Sequence, residues 1–203
     1  MVSGKGGAAL LDKSLPYFSV IMKRRANTPI PINDLPPGYS FTSFCPGDEA
    51  VWADIETSVG EFSTSEDALR YFQSAYLATD AARLGARLVF ACDPHGEPVG
   101  TVTSWWNYTQ GRRNPALHWL AVRSDHQGMG LGKALVSESL RRLVQLEGPG
   151  EVFLHTQTWS HRAIAIYLKA GFTIVAEESF ADYPNDYQQA IAILRTVLPK
   201  LPI

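Results

Sequence analysis

Hydrophobic residues recur along the chain with two spacings, every second position, as in β-strands, and every third or fourth, as in α-helices. The helical spacing is clear where Val51, Trp52, Ile55 and Val59 fall on one face. Helices are predicted over residues 48–59, 63 to about 84, 131–146, 160–170 and 186–197. Strands are predicted over residues 16–22, 39–44, 87–92, 98–108, 117–122, 152–155 and 172–176.

The order of these segments predicts a mixed α/β fold. Two helices lead, a meander of strands follows, and the chain then alternates strand, helix, strand, helix and strand. Because parallel strands need a crossover connection, the helix at 131–146 predicts one parallel pair near the middle of the sheet. Residues 1–37 are predicted to be an N-terminal extension with one short strand, and residues 38–203 a single domain.

Composition narrows the class of protein further. Eighteen basic and twenty acidic residues give a formal net charge of −2, without the basic stripe expected of a nucleic-acid-binding protein. No apolar run approaches the length of a membrane span, and the first residues do not resemble a secretion signal. Cys45 and Cys92 lie far apart, which favours a reducing compartment over a disulfide framework or a metal site. We therefore expect a cytoplasmic protein without a metal.

The segment most informative about chemistry joins a predicted strand to the helix at 131–146. It reads Gln127-Gly128-Met129-Gly130-Leu131-Gly132-Lys133. Glycines permit positive φ and a close approach of the backbone to a ligand, and the first turn of a helix offers free N–H groups to a phosphate. Lys133 would add a full positive charge. A tight turn without a ligand is the alternative interpretation.

Two other nucleotide-binding motifs fail at this segment. A P-loop needs a glycine where Gln127 stands and a hydroxyl where Ala134 stands. A dinucleotide-binding fingerprint needs G-x-G-x-x-G, whereas the chain has Gly128-x-Gly130-x-Gly132. Both motifs are excluded by spacing.

The segment instead resembles the signature of the GNAT superfamily of N-acetyltransferases, Gln/Arg-x-x-Gly-x-Gly/Ala. The preceding strand end, Leu120-Ala121-Val122, fits the same signature. A second block, residues 160–172, resembles the family pattern Asn-x-x-Ala-x-x-x-Tyr-x-x-x-Gly-Phe. The resemblance covers residues 117–175. It implies a twisted, mostly antiparallel sheet, flanked by helices, whose parallel strand pair splays at the cofactor site.

By this resemblance the co-substrate is acetyl-CoA. The backbone of Leu120, Ala121 and Val122 would pair with the pantetheine arm. The pyrophosphate would be held by Gln127, Gly128, Met129, Gly130, Leu131, Gly132 and Lys133, chiefly through backbone N–H groups. Ser160 and Ala163 of the second block would complete the cofactor site. Ser160 stands where the family often has asparagine, and it could equally be only a helix N-cap.

The resemblance makes Tyr167 the general acid that protonates the departing thiolate of coenzyme A. A core aromatic is the alternative for this residue. For the general base we favour His118, because strand alternation places it on the face of Leu120 and Val122 and its usual pKa suits removal of a proton from an ammonium. A packed histidine is an equal alternative. Further candidates for the base are Glu49, Glu56 and Asp186.

The implied reaction is direct transfer of an acetyl group to a primary amine in a ternary complex. No Cys or Ser occupies a nucleophile motif, so no covalent enzyme intermediate is expected. A non-catalytic acyl-CoA-binding sensor of the same fold is the alternative. The acceptor is expected to be a small molecule of open identity, and a homodimer is compatible with the fold. Aromatic candidates for lining its pocket are Trp52, Phe62, Tyr76, Trp105, Trp106, Tyr108 and Trp119.

Overall fold

The computed structural model describes residues 11–200, which form one seven-stranded sheet with helices packed on both faces. The strands are β1 (Ser19–Arg24), β2 (Ser40–Ser43), β3 (Leu88–Cys92), β4 (Pro98–Thr109), β5 (Arg112–Val122), β6 (Val152–Gln157) and β7 (Phe172–Ile174). The helices are α1 (Glu49–Ser58), α2 (Ser65–Phe72), α3 (Ala78–Asp80), α4 (Leu84–Arg87), α5 (Leu131–Glu147), α6 (His161–Lys169) and α7 (Tyr187–Val197). Within residues 11–200, no helix has both the length and the hydrophobicity that crossing a membrane requires.

The strand order is β2-β3-β4-β5-β6-β1-β7, and the recorded pairs are antiparallel except for β5 with β6. The predicted mixed sheet with one parallel pair is therefore confirmed. Strands β5 and β6 pair at a single position, where Ala116 lies opposite Phe153. Beyond this position β5 continues to Val122 and β6 to Gln157, but the two strands do not pair with each other again. The two strands thus separate towards their C-terminal ends and leave a cleft.

Strand β1 lies inside the sheet, between β6 and β7. Met22 pairs with Leu154 on one side and with Ile174 on the other. Val20, Ile21 and Met22 are fully buried, as expected for a strand covered on both faces. The strand predicted at 16–22 within the N-terminal extension is thus an interior strand of the sheet, shifted to Ser19–Arg24. Residues 1–10 of the predicted extension lie outside the described residues.

The sheet separates its two largest hydrophobic cores, and alternate residues of β3 show the division. Val89 belongs to the core beneath α5, α6 and α7, whereas Phe90 belongs to the core beneath α1 and α2. Trp52 and Phe72 are fully buried in the second core. Each such side chain contributes roughly 1.5–3 kcal/mol by leaving water. These contacts fix α1 over the sheet and therefore fix the residues at its C-terminal end.

The long helix predicted from 63 to about 84 is interrupted. Helix α2 ends at Phe72, a π-helical turn covers Gln73–Leu77, and short turns lead to α4. The stretch Ala78-Thr79-Asp80-Ala81-Ala82-Arg83 contains no large apolar side chain. No hydrophobic stripe therefore holds this stretch on the core as one continuous helix.

Candidate functional site

The turn between β5 and α5 has the backbone conformation that its glycines suggest. Gly128 has φ 79° and Gly130 has φ 98°, and no atom lies within 4 Å of a Cβ built at either position. Glycine is thus required by the left-handed conformation and not by crowding. Within the described part of the chain, the N–H groups of Gly128, Gly130, Leu131 and Gly132 make no hydrogen bond to backbone acceptors. These N–H groups remain available to a ligand.

A groove of about 310 Å³ runs along this turn between α5 and α6, and we call it the glycine groove. It is lined by Leu120, Val122, His126, Gln127, Gly128, Gly130, Leu131, Gly132, Lys133, Arg162, Ala163 and Ile166. Most residues predicted to bind the cofactor therefore meet at one surface. Three lie elsewhere: Ala121 is buried in the core beneath α1 and α2, Met129 is 47% exposed, and Ser160 lines a neighbouring cavity.

Several residues of the groove have roles that their sequence pattern did not specify. The Gln127 side chain donates a hydrogen bond of 2.8 Å to the carbonyl of Val122 and closes the turn on the strand end. A Cβ at Gly132 would lie 3.1 Å from Ile166 Cδ1, so this glycine permits close packing of α5 on α6. Arg162 adds a second cationic side chain to the groove besides Lys133, and its place there had no signal in the sequence pattern.

Leu120 and Ala163 also line a second space, an inner cavity of about 350 Å³. The groove and the cavity therefore share a wall at the cleft between β5 and β6. The cavity is lined by Leu11, Lys13, Tyr17, Glu56, Gly60, Glu61, Leu117, His118, Trp119, Leu120, His155, Thr156, Gln157, Trp159, Ser160, Ala163, Tyr167, Phe180 and Tyr183. Both residues predicted to be catalytic, Tyr167 and His118, belong to this lining.

Tyr167 packs in the core and also lines the inner cavity. Its side chain is 6% exposed, and its ring stands edge-on to Phe172 at a centroid distance of 5.9 Å. Burial raises the pKa of the Tyr167 hydroxyl, and Glu61 and Glu56 raise it further. The hydroxyl has no hydrogen-bond partner among residues 11–200. It is therefore a protonated donor at neutral pH, and the core and catalytic interpretations of this residue are compatible.

His118 lies on the opposite face of the sheet from the one predicted. Thr101 pairs with Ala121 and Thr103 with His118, so β5 carries one extra residue at this point, and Trp119 has φ 49°. This β-bulge breaks the alternation. Leu120 packs beneath α5 and α6, whereas the His118 ring lies 6.4 Å from the ring of Tyr76, beneath α1 and α2. The predicted shared face with Leu120 and Val122 is wrong.

The His118 ring is neutral at physiological pH. Its Nε2 is hydrogen-bonded to Oδ1 of Asn107, which can only accept, so Nε2 carries the proton and Nδ1 the lone pair. Burial, with a smaller contribution from His155, lowers the pKa of the His118 imidazole to about 3. A base of such low pKa removes a proton from an ammonium inefficiently near pH 7.

We expect this histidine to make stability depend on pH. Its pKa is about 3 in the folded chain and about 6.5 when unfolded. Below pH 6.5 the unfolded state binds a proton that the folded state does not bind. The free energy of unfolding therefore decreases as the pH is lowered, by at most about 1.4 kcal/mol per pH unit. Urea unfolding of wild type and His118→Gln between pH 7 and 4.5 measures the slope. The wild-type curve should fall more steeply, and parallel curves would contradict the assignment.

The three other candidate bases occupy different positions. Glu49 accepts a hydrogen bond of 3.0 Å from the Gly47 N–H at the start of α1, and Asp186 accepts one of 2.9 Å from the Ser19 N–H. Neither of them lines the inner cavity. Glu56 does line it, is fully buried, and has no hydrogen-bond partner for either carboxylate oxygen among residues 11–200.

The aromatic wall of the cavity differs from the predicted one. Of the seven aromatic candidates, Trp119 is the one that lines it, and its indole N–H donates to the Tyr71 hydroxyl at 3.0 Å. Trp52, Tyr76, Trp105 and Trp106 are buried in the core, and Tyr108 is 59% exposed. The aromatic residues that line the cavity besides Trp119 and Tyr167 are Tyr17, Trp159, Phe180 and Tyr183.

The segment before β1 forms one side of the cavity, which the sequence did not indicate. The Asp12 N–H donates to the Trp159 carbonyl at 2.9 Å, and the Trp159 indole donates to the Leu15 carbonyl at 2.7 Å. These bonds hold Lys13 and Tyr17 against the cavity. The predicted N-terminal extension therefore contributes both a strand and part of the candidate site.

Comparison with known proteins agrees with this geometry. The family model described as Acetyltransferase (GNAT) family matches residues 50–172. The chain is 31% identical over 150 residues to a mycothiol acetyltransferase of Arthrobacter sp., covering 71% of this chain and 45% of the relative. It is 26% identical over 195 residues to a mycothiol acetyltransferase of Catenulispora acidiphila, covering 79% and 56%. The chain thus spans about half the length of the curated relatives it matches.

Among solved structures, a GCN5-related N-acetyltransferase from Sphaerobacter thermophilus is similar, with a TM-score of 0.60 and 26% identity. The similarity covers 77% of this chain and 48% of that one.

Proposed function

The chain belongs to the acetyltransferase (GNAT) family, and from that premise we propose that it transfers an acetyl group from acetyl-CoA to a primary amine. The observation that carries the proposal is the shared wall of the glycine groove and the inner cavity at Leu120 and Ala163. A donor in the groove and an acceptor in the cavity would meet there. Direct transfer between the two then needs no covalent enzyme intermediate.

The glycine groove suits a pantetheine chain that ends in phosphates. The N–H groups of Gly128, Gly130 and Gly132 and the cations Lys133 and Arg162 would hold the pyrophosphate. Past Ala116, the edge of β5 facing β6 lacks a strand partner, so an amide-bearing arm could pair with the backbone of Leu120 and Val122. A backbone N–H of this edge would stabilise the oxyanion that develops on the thioester carbonyl.

The protein residues would act on protons in a fixed order. A base removes one proton from the acceptor ammonium, and the amine nitrogen then forms a bond to the thioester carbonyl carbon. As the carbon–sulfur bond breaks, Tyr167 donates its hydroxyl proton to the sulfur and recovers a proton from the new amide nitrogen. The cavity that Tyr167 lines would keep bulk water away from this transfer.

The groove is tested by comparing Gly130→Val with Lys133→Ala. Valine is strained at φ 98°, so the amide cradle should be lost, whereas Lys133 is exposed and its charge should matter less. We expect Gly130→Val to weaken acetyl-CoA affinity at least tenfold and Lys133→Ala only a few-fold, by isothermal titration. Equal losses would argue against a backbone cradle.

Binding and turnover together separate the enzyme from a sensor of the same fold. Acetyl-CoA at a hundredfold over its Kd should stabilise the wild-type chain by about 2.7 kcal/mol in thermal unfolding. Release of free thiol in the presence of a panel of small primary amines then measures turnover. Binding without any turnover would favour the sensor.

A further inference from the structure

Two glutamates are brought side by side where α1 ends. Gly60 has φ 87°, its N–H donates to the Thr57 carbonyl at 3.0 Å, and the Glu61 N–H donates to the Glu56 carbonyl at 3.2 Å. These two bonds form a Schellman motif, which usually places a hydrophobic pair at the positions that Glu56 and Glu61 occupy. Both side chains line the inner cavity instead.

We propose that the Glu56 carboxylate, assisted by Glu61, binds the ammonium group of the acceptor and removes its proton. The inference rests on the proposed acetyl transfer to an amine and names the class of acceptor, an amine that enters the cavity as a cation. Glu56 is thereby a catalytic residue, and Glu61 sets affinity for positive charge.

The first support is that Glu56 is buried without a partner. Its side chain is inaccessible to solvent, and neither oxygen accepts a hydrogen bond from residues 11–200. A buried, unpaired carboxylate is costly and is seldom kept for folding alone. It also lies at the C-terminal end of a helix, where the helix dipole disfavours a negative charge. A cation inside the cavity would offset both costs.

The second support is the composition of the cavity wall. Lys13 is the one Lys or Arg that lines the cavity within the described residues, and its Nζ is placed 3.2 Å from the Gly60 carbonyl. Six aromatic side chains also belong to the wall, those of Tyr17, Trp119, Trp159, Tyr167, Phe180 and Tyr183. The Lys13 ammonium already lies 5.5 Å from the centre of the Trp159 ring. Carboxylates and aromatic faces together recognise ammonium groups.

The third support is that the two histidines of the cavity are held by hydrogen bonds and are weak bases. His118 Nε2 is bonded to Asn107, and His155 Nε2 lies 2.8 Å from Ser19 Oγ, which itself donates to the Pro184 carbonyl. Burial lowers the pKa of His155 to about 4, close to the value for His118. For Glu56, burial raises the pKa well above its usual value, and Glu61 raises it further. A raised carboxyl pKa is better matched to deprotonating an ammonium.

The proton balance is complete without another reactant. Glu56 takes one proton from the ammonium, which leaves a neutral amine with a free lone pair. The amine forms the carbon–nitrogen bond, the carbon–sulfur bond breaks, and Tyr167 relays the second proton from nitrogen to sulfur. After the products leave, Glu56 releases its proton through the emptied cavity to solvent. An arylamine is already neutral near pH 7, so its acetylation should bypass Glu56.

The test compares Glu56→Gln, Glu61→Gln and the exposed control Glu66→Gln, using alkylamines and an arylamine as acceptors. For alkylamines we expect Glu56→Gln to lower kcat about 100-fold or more. Glu61→Gln should raise KM several-fold with a smaller loss of kcat, and the control should match wild type. Acetylation of the arylamine should be nearly unaffected by Glu56→Gln. Equal losses for both acceptor classes, or none, would overturn the proposal.

Two measurements keep this outcome separate from misfolding and from failure of the proposed function. Glu56→Gln should bind acetyl-CoA as wild type does and melt at the same or a higher temperature, because a buried acid is removed. A lower melting temperature would make Glu56 structural. Calorimetric binding of the alkylamine to wild type and Glu56→Gln needs no turnover. If wild type does not bind acetyl-CoA, the proposed acetyl transfer is refuted. If wild type and Glu56→Gln bind the alkylamine with equal affinity, the role of Glu56 is refuted.

Discussion

Tyr167→Phe is expected to lower kcat by roughly 10²- to 10⁴-fold, the usual range for loss of a general acid. The variant removes one hydroxyl that lines the inner cavity and has no hydrogen-bond partner among the described residues. The ring and its edge-on contact with Phe172 remain, so the core should stay packed. The loss should therefore fall on kcat, with little change in the affinity for acetyl-CoA or in melting temperature.

Steady-state kinetics with a saturating alkylamine, together with titration of acetyl-CoA, measure this effect. Tyr108→Phe is the matched control, because it removes the same group from an exposed side chain outside both pockets. It should leave kcat unchanged. Full turnover by Tyr167→Phe would remove the residue from the mechanism.

The second large effect concerns stability. Glu147 ends α5 and accepts hydrogen bonds from Arg87 and Arg113, with Arg87 and Glu147 side chains only 4% and 11% exposed. Burial raises the pKa of the Glu147 carboxyl, but the bonds from Arg113 and Arg87 outweigh it and leave the pKa lowered. Glu147→Ala should lower the free energy of unfolding by about 3–5 kcal/mol, because Arg87 would remain buried without its counter-charge.

Urea unfolding at pH 7 measures this loss, with Glu138→Ala as the control. Glu138 pairs with Arg141 and Arg142 in a more exposed position on the same helix. Glu138→Ala should therefore lower the free energy of unfolding by at most about 1 kcal/mol. Because the folded pKa of Glu147 is depressed, its contribution is complete above pH 4.5 and is lost as pH falls through the folded value. The gap between wild type and Glu147→Ala should therefore narrow in acid.

The sequence predicted the groove better than the cavity, for a physical reason. The groove is built by short contiguous segments, and a glycine pattern reports backbone conformation directly. His118 was misplaced because counting alternate residues assumes an unbroken strand, and a bulge at Trp119 adds one residue. The start of β5 was missed because Arg112, Arg113 and Asn114 lack apolar alternation, although the Gln110-Gly111 turn has the positive φ values of a hairpin.

The neighbours of β1 could not be predicted from its own residues. The run Val20-Ile21-Met22 indicates a strand buried on both faces, but pairing with β6 and β7 depends on segments far along the chain. The sequence does, however, contain a pattern that indicates the pair of Glu56 and Glu61. Glycine after a helix marks a C-terminal cap, and acidic residues at the two positions that normally touch are a conflict typical of a functional site.

The central place of β1 has a consequence for synthesis of the protein. This strand leaves the ribosome long before β6 and β7, the two strands between which it belongs. Until both have emerged, Val20 and Met22 have no sheet to join. The nascent chain must therefore carry an unmatched apolar strand until residues 152–174 have emerged, which makes maturation slow and gives chaperones a segment to shield.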